Sequence, residues 1–371
     1  MITKVKIAIL ILVSFMPLQI VNASEDKLSE EYQLDLHKAK VIEVIDEIKH
    51  KDTIVQVLEI KLLNKAHKGT ITKINNTLTG SDYDIELSEG DKISVICEEV
   101  DGEISFYFHS YDKTFYLSIL AIIFIISVII FGGFKGFKAL IALIVTFALI
   151  IFCLVPLLLK GYSPIILSIS VCILSTILTF AITNGFTKKT LIAILGVVGG
   201  LLIGGLIAYV FGVLLKISGF SSESAQMLQY LPSGVAFDFK GLLFAGIIIG
   251  ALGACMDVAM ELTSSLIEIK KHKPNICIKE LIISGFNIGK DIMGTMVNTL
   301  ILAYTGGSLS TILLFVGFER SMNEIINLES ITSEIIRAIS GSLGLLFAIP
   351  CTIFAFAYIY DKGRKKHEEN I

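Results

Sequence analysis

Asp257 and Glu261 are four residues apart at the end of Gly241–Glu261, an apolar run long enough to cross a bilayer, so on a helix the two carboxylates share a face. A carboxylate inside hydrocarbon costs roughly 2.5–3.5 kcal/mol on insertion scales, and a partner, water or a function must offset that cost. Further on, Asp291, Thr295 and Asn298 fall at i, i+4 and i+7, again one helical face. Protonatable acids beside hydroxyl and amide groups suit reversible binding of protons or cations in a low-dielectric site. Asp257 is therefore predicted as an ion-coupling carboxylate. Asp291, Thr295 and Asn298 would be a polar lining, and Glu261 a further candidate. The predicted spans hold neither a histidine nor a Ser/His or Cys/His pair, and the chain has no GxxxxGK[ST] loop. Nucleophilic, metal-dependent and ATP-driven chemistry are accordingly not expected. The chain is expected to be no enzyme and to carry no cofactor or metal.

These residues need apolar helices to hold them. Hydrophobic residues make up 54% of the chain and charged ones 18%, a balance that disfavours a large soluble domain. The apolar residues fall into bilayer-length blocks, which predicts an α-helical polytopic membrane protein. Seven spans can be drawn: Phe115–Phe131, Ala139–Val155, Pro164–Ile182, Leu191–Leu215, Leu242–Leu262, Ile292–Val316 and Ile335–Tyr360. Lysines and arginines concentrate in alternate loops, at Lys135/Lys138, Lys188/Lys189, Lys270–Lys279 and Lys362–Lys366. The positive-inside rule then sets these loops and the C-terminus in the cytoplasm. Gly196, Gly200 and Gly204, and separately Gly246 and Gly250, form small-residue stripes on which another helix can pack closely. Ile276–Gly289 reads as a short amphipathic helix on the inner membrane surface, with a re-entrant segment covered by protein as the alternative. Thr305, Gly306 and Gly307 are expected to break the sixth span, Pro350 to kink the seventh, and Arg337 to snorkel outward.

Lys4 and Lys6 before the apolar run Ile7–Val21 predict a signal peptide or signal anchor over residues 1–23. Residues 24–113 would then be an extracytoplasmic β-rich domain, and 114–371 the multipass domain. Runs rich in Ile, Val and Thr predict strands at Val41–Ile48, Ile54–Leu63, Gly69–Leu78, Tyr83–Leu87, Lys92–Cys97 and Glu103–His109. Such strands suggest a small barrel or sandwich, with an OB-like barrel among the candidates. The segment is acidic and outside the cytoplasm, so nucleic acid is not an expected partner. His37, His50, His67 and His109 are expected as scattered surface histidines.

Several stretches resemble one family. Gly250–Met260, Ser284–Tyr304 and Gly341-Ser-Leu-Gly344, together with Gly132–Lys138, His67-Lys-Gly69 and Gly90-Asp91, look like the YibE/F family of bacterial multipass membrane proteins. The resemblance covers most of residues 39–355. Glu261 departs from it, standing where a small polar residue would be expected. The resemblance implies a bacterial plasma-membrane protein and no particular biochemical activity. The residues themselves point to a secondary transporter or permease for an unidentified small solute or ion. The competing expectation is an envelope scaffold whose outer domain binds a protein partner or cell-wall component. Either form has the lipid bilayer as its surroundings and is open to homo-oligomerisation. An enzyme using Asp257 and Asp291 as a carboxylate pair is a weaker third.

Overall fold

The computed structural model describes residues 36–49, 53–64, 67–81, 83–100, 103–231 and 235–368. The expected signal segment, 1–23, lies outside them. The chain divides into two compact units that meet between residues 130 and 131.

The first unit contains a five-stranded antiparallel sheet, β1 (Leu36–Lys49), β2 (Ile54–Leu62), β3 (Ile71–Leu78), β4 (Lys92–Val100) and β5 (Glu103–Tyr111), in the order β3-β2-β1-β4-β5. β1 is long because it serves two neighbours. Residues 36–40 pair with β4, and 39–49 pair with β2 through two register shifts, at Val41/Glu43 and Val44/Asp46. Such bulges bend a strand and raise its twist. The sheet curls until β3 touches β5, giving a nearly closed barrel. Alternation places Leu58, Ile60 and Leu62 of β2 inward with Ala39, Val41, Ile74, Ile93 and Val95.

Tyr83–Leu87, expected as a strand, is irregular instead. The cause lies in two buried amides. Gln56 and Asn76 occupy inward positions in the rows of Leu58 and Ile74, and both are buried. Gln56 Oε1 accepts the Leu87 N–H at 3.0 Å, and Gln56 Nε2 donates to the Leu87 carbonyl at 3.3 Å. Asn76 Nδ2 donates to the Ile85 carbonyl at 2.8 Å and to Gln56 Oε1 at 3.1 Å. Side-chain amides thus satisfy backbone groups that a ladder would otherwise pair. Another expectation also fails: His37 is 2% exposed, with its ring centroid 5.6 Å from that of His67 and 5.9 Å from that of Phe106.

The helical region begins with α1 (Thr114–Leu149), a π-helical turn at Ile150–Leu154 and α2 (Val155–Leu159). Gly133 interrupts α1 with φ 53° and ψ −136°, a conformation reserved for glycine. There follow α3 (Pro164–Asn184), α4 (Lys188–Leu214), the short α5 (Glu223–Met227), α6 (Phe239–His272), α7 (Ile278–Gly307), α8 (Leu309–Gly317), α9 (Met322–Asn327) and α10 (Glu329–Glu368). By length and composition five of these stretches, or six with α7–α8 taken as one bent span, are apolar and long enough to cross a membrane. α7 and α8 meet at a 57° bend beside Gly306 and Gly307, where a break was expected. The amphipathic stretch after Ile276 is not a separate surface helix. It is the first part of α7, and Leu281, Gly285, Gly289 and Ile292 form its buried stripe. α10 runs through Pro350 as one helix. The loop after α4 is tied to α10 by Glu329, whose carboxylate accepts from Ser218 N–H at 3.0 Å, Ser218 Oγ at 2.7 Å and Gly219 N–H at 2.8 Å.

Candidate functional site

The helical core is α4, α6, α7 and α10, and glycine sets how close they come. A Cβ built on Gly200 would lie 2.6 Å from the Gly344 carbonyl oxygen, and one on Gly204 would lie 2.8 Å from Gly344 Cα. Gly196 instead receives the Thr352 side chain. At Gly200 and Gly204, α4 and α10 therefore meet backbone to backbone, with no side chain between them. α7 joins the same helix through a pair that sequence reading passed over. A Cβ on Gly285 would meet Ile353 at 3.0 Å, and one on Gly289 would meet Ile349 at 2.5 Å. The signal was present as a small-xxx-small step inside Ser284–Tyr304.

Gly246 and Gly250 behave differently. They seat polar side chains rather than a helix backbone. The Arg337 guanidinium of α10 lies nearest Gly246, 3.6 Å from a Cβ built there, and the Tyr304 hydroxyl of α7 lies 2.6 Å from one built on Gly250. Arg337 Nε is 3.4 Å from Glu334 Oε1. Arg337 thus turns onto α6 rather than snorkelling outward. The Tyr304 hydroxyl and the Ser333 and Ser342 hydroxyls are buried without hydrogen-bond partners. Sequence reading missed the role of Tyr304 because the glycine its hydroxyl meets lies on another helix.

The predicted ion-site residues lie on another face. The core-facing side of α6 buries Cys255, Val258, Ala259 and Leu262, whereas Asp257 and Glu261 are exposed on the opposite side. On α7, Ile292 is buried while Asp291, Thr295 and Asn298 are exposed. Thr295 donates its hydroxyl to the Ile292 carbonyl at 3.0 Å. Among the described residues no cation pairs with Asp257, Glu261 or Asp291. Two of the lysines near in sequence are engaged elsewhere: Lys270 donates to the Pro274 carbonyl at 2.6 Å, and Lys271 Nζ is 3.7 Å from Glu268. α6 and α7 are adjacent and joined by a short loop, so they run antiparallel. At about 1.5 Å per residue, Asp257 and Asp291 each lie roughly 20 Å along their helices from that loop, at a common level. Nothing approaches within 4 Å of a Cβ built on Gly253 or Gly294, which leaves open space beside both acids. α6 and α7, neighbours in the bundle, thus each present exposed polar groups, two carboxylates on α6 and a carboxylate, a hydroxyl and an amide on α7, types of donor suited to hydrated cations or protons.

The family model described as YibE/F-like protein matches residues 120–362, and that described as YibE/F family N-terminal domain matches residues 34–111. No curated protein and no solved structure matched the chain.

Proposed function

The chain belongs to the YibE/F family, and from that premise we propose that it is a permease of the bacterial plasma membrane, coupled to protons or cations through Asp257. The observation that carries this is the outward polar face of α6 and α7. Asp257, Glu261, Asp291, Thr295 and Asn298 are exposed on helices otherwise apolar enough to cross a membrane. Carboxylates on such helices face water or a partner rather than lipid. The apolar stretch Thr114–Leu159 has 46 residues. At about 1.5 Å per residue it would reach roughly 70 Å as a straight rod, over twice the ~30 Å of a hydrocarbon core. Dividing it at Gly133, beside Lys135 and Lys138, yields seven crossings with the N-terminal domain outside and the C-terminus in the cytoplasm.

The test is proton and cation flux into proteoliposomes, comparing wild type with Asp257→Asn at equal insertion. Flux that the substitution lowers at least about tenfold supports the proposal, since loss of a coupling acid removes the ion-bound state itself. Flux unchanged by the substitution would sink it.

A second reading rests on the outer domain. The order β3-β2-β1-β4-β5 with β3 returning to β5 is that of an OB-type barrel. Such barrels bind oligonucleotides or oligosaccharides, and an acidic one favours the uncharged sugar over phosphate. In that case the helices are an anchor, a wall glycan is the ligand, and Asp257→Asn is silent.

A further inference from the structure

One end of the helical unit opens into a cavity of 320 Å³, built where the start of α4, the end of α6, the start of α7 and the late part of α10 come together. Its floor is apolar and closed: Leu266, Leu281, Ile353 and Phe356 line it, and each is at most 3% exposed. Its remaining wall carries Lys188, Lys270 and Tyr360. Lys270 is held in place, because its ammonium donates to the Pro274 carbonyl at 2.6 Å and the Ile276 carbonyl at 3.3 Å. Lys188 is exposed and is the first residue of α4, where the helix dipole adds positive potential.

The charge around this opening is not balanced. Glu268 is shared by Lys271 and His272, and Glu280 is taken by Lys273. Among the described residues no carboxylate pairs with Lys188 or Lys270. The lysines also lie at the ends of candidate spans, Lys188–Leu214 and Phe239–His272. In a bilayer that is the level of lipid headgroups.

We propose that this cavity binds an anionic phospholipid of the surrounding leaflet, its headgroup phosphate held by Lys188 and Lys270 and the start of an acyl chain lying on Leu266, Ile353 and Phe356. Two independent features select that ligand. Basic pockets between membrane helices on the cytoplasmic side attract anionic headgroups. The apolar floor gives no advantage to a free phosphate but a large one to an attached hydrocarbon chain. A bound lipid would bridge α4, α6, α7 and α10 at one end of the bundle.

The test uses the full chain in phosphatidylcholine nanodiscs doped with photoactivatable phosphatidylglycerol or, in a parallel arm, photoactivatable phosphatidylcholine, with cross-links mapped by peptide mass spectrometry. The proposal expects phosphatidylglycerol to label residues 266–282 and 353–360 about fivefold more than phosphatidylcholine, the worth of one basic residue at a membrane surface. Lys188→Gln should remove most of that preference, and Lys188→Arg should keep it. Ala357→Phe, which fills the cavity from its wall, should lower labelling with both lysines intact. Equal labelling by the two lipids, or labelling indifferent to Lys188→Gln, would overturn the proposal. Displacement of the label by millimolar inorganic phosphate would also overturn it, by making this a free-anion site.

Discussion

A methyl group on Gly200 would press on the carbonyl of Gly344 and, at 2.7 Å, on the Cβ of Ala348. Neither can yield as a flexible side chain would. Gly200→Ala should therefore destabilise the helical unit by about 1–3 kcal/mol, the usual cost of overpacking. Gly253→Ala, facing open space, should be neutral. Thermal unfolding of both variants in detergent, followed by fluorescence-detected size exclusion, separates the two outcomes. The small-residue stripes were legible in the sequence, but not what fills them. Gly196/Gly200/Gly204 and Gly246/Gly250 share one spacing, yet the first admits a helix backbone at Gly200 and Gly204 and the second a guanidinium and a phenol. The difference lies in Arg337 and Tyr304, which come from other helices, and spacing within α6 carries no trace of them. Asp112 is a further residue whose role needs the fold. Its carboxylate is held below its ordinary value of 3.8 by the Thr114 hydroxyl and backbone N–H, with Lys38 3.1 Å away adding to the effect. A depressed acid stabilises the fold fully above its unfolded pKa and loses that contribution as pH falls through the folded one. Protection factors of the β1 amides, the exchange rates corrected for the intrinsic pH dependence, should accordingly fall below about pH 4 in wild type, and Asp112→Asn should show the lower protection already at neutral pH and lose this acid step.

At the scale of elements, the strands were readable because half-buried strands alternate and the alternation survives in β2 as Leu58, Ile60 and Leu62. Tyr83–Leu87 alternates too, with Ile85 and Leu87 inward, and that pattern imitated a strand. Its partners are side chains, so no pairing signal exists for it. Gln56→Leu tests this account. It keeps an apolar shape but strands the Leu87 backbone groups and one Asn76 donor, at a cost of about 1–3 kcal/mol for each buried group left unpaired. The expected result is a lower unfolding midpoint and rapid amide exchange at Leu87, with the Ile74 and Leu58 amides little changed. Exchange at Leu87 as slow as in wild type would show that packing alone holds the segment. The candidate ion site was legible by residue type, since carboxylates in apolar runs announce themselves. Its orientation was not, because a polar face on a membrane helix can turn inward or outward, and what fixed the buried sides lies on other helices: Gly205 and Gly212 of α4 receive Ile248 and Phe244 of α6, and Ile353 and Ile349 of α10 receive Gly285 and Gly289 of α7.

At the scale of the whole molecule, the helical unit sorts its contacts into two kinds. α6 and α7 meet their neighbours through side chains, and α7 leads into α8 through a 57° bend. α4 and α10 meet through backbone at Gly200, Gly204 and Gly344. A sliding joint needs something deformable between its surfaces, as a bearing needs its film of oil. Here there is none. A shift of one residue along α4 would drive Leu201 or the neighbours of Gly344 into space that only hydrogen atoms now fill. Two helices joined at such points behave as a single beam, to which the side-chain contacts of α6 and α7 attach the rest of the unit.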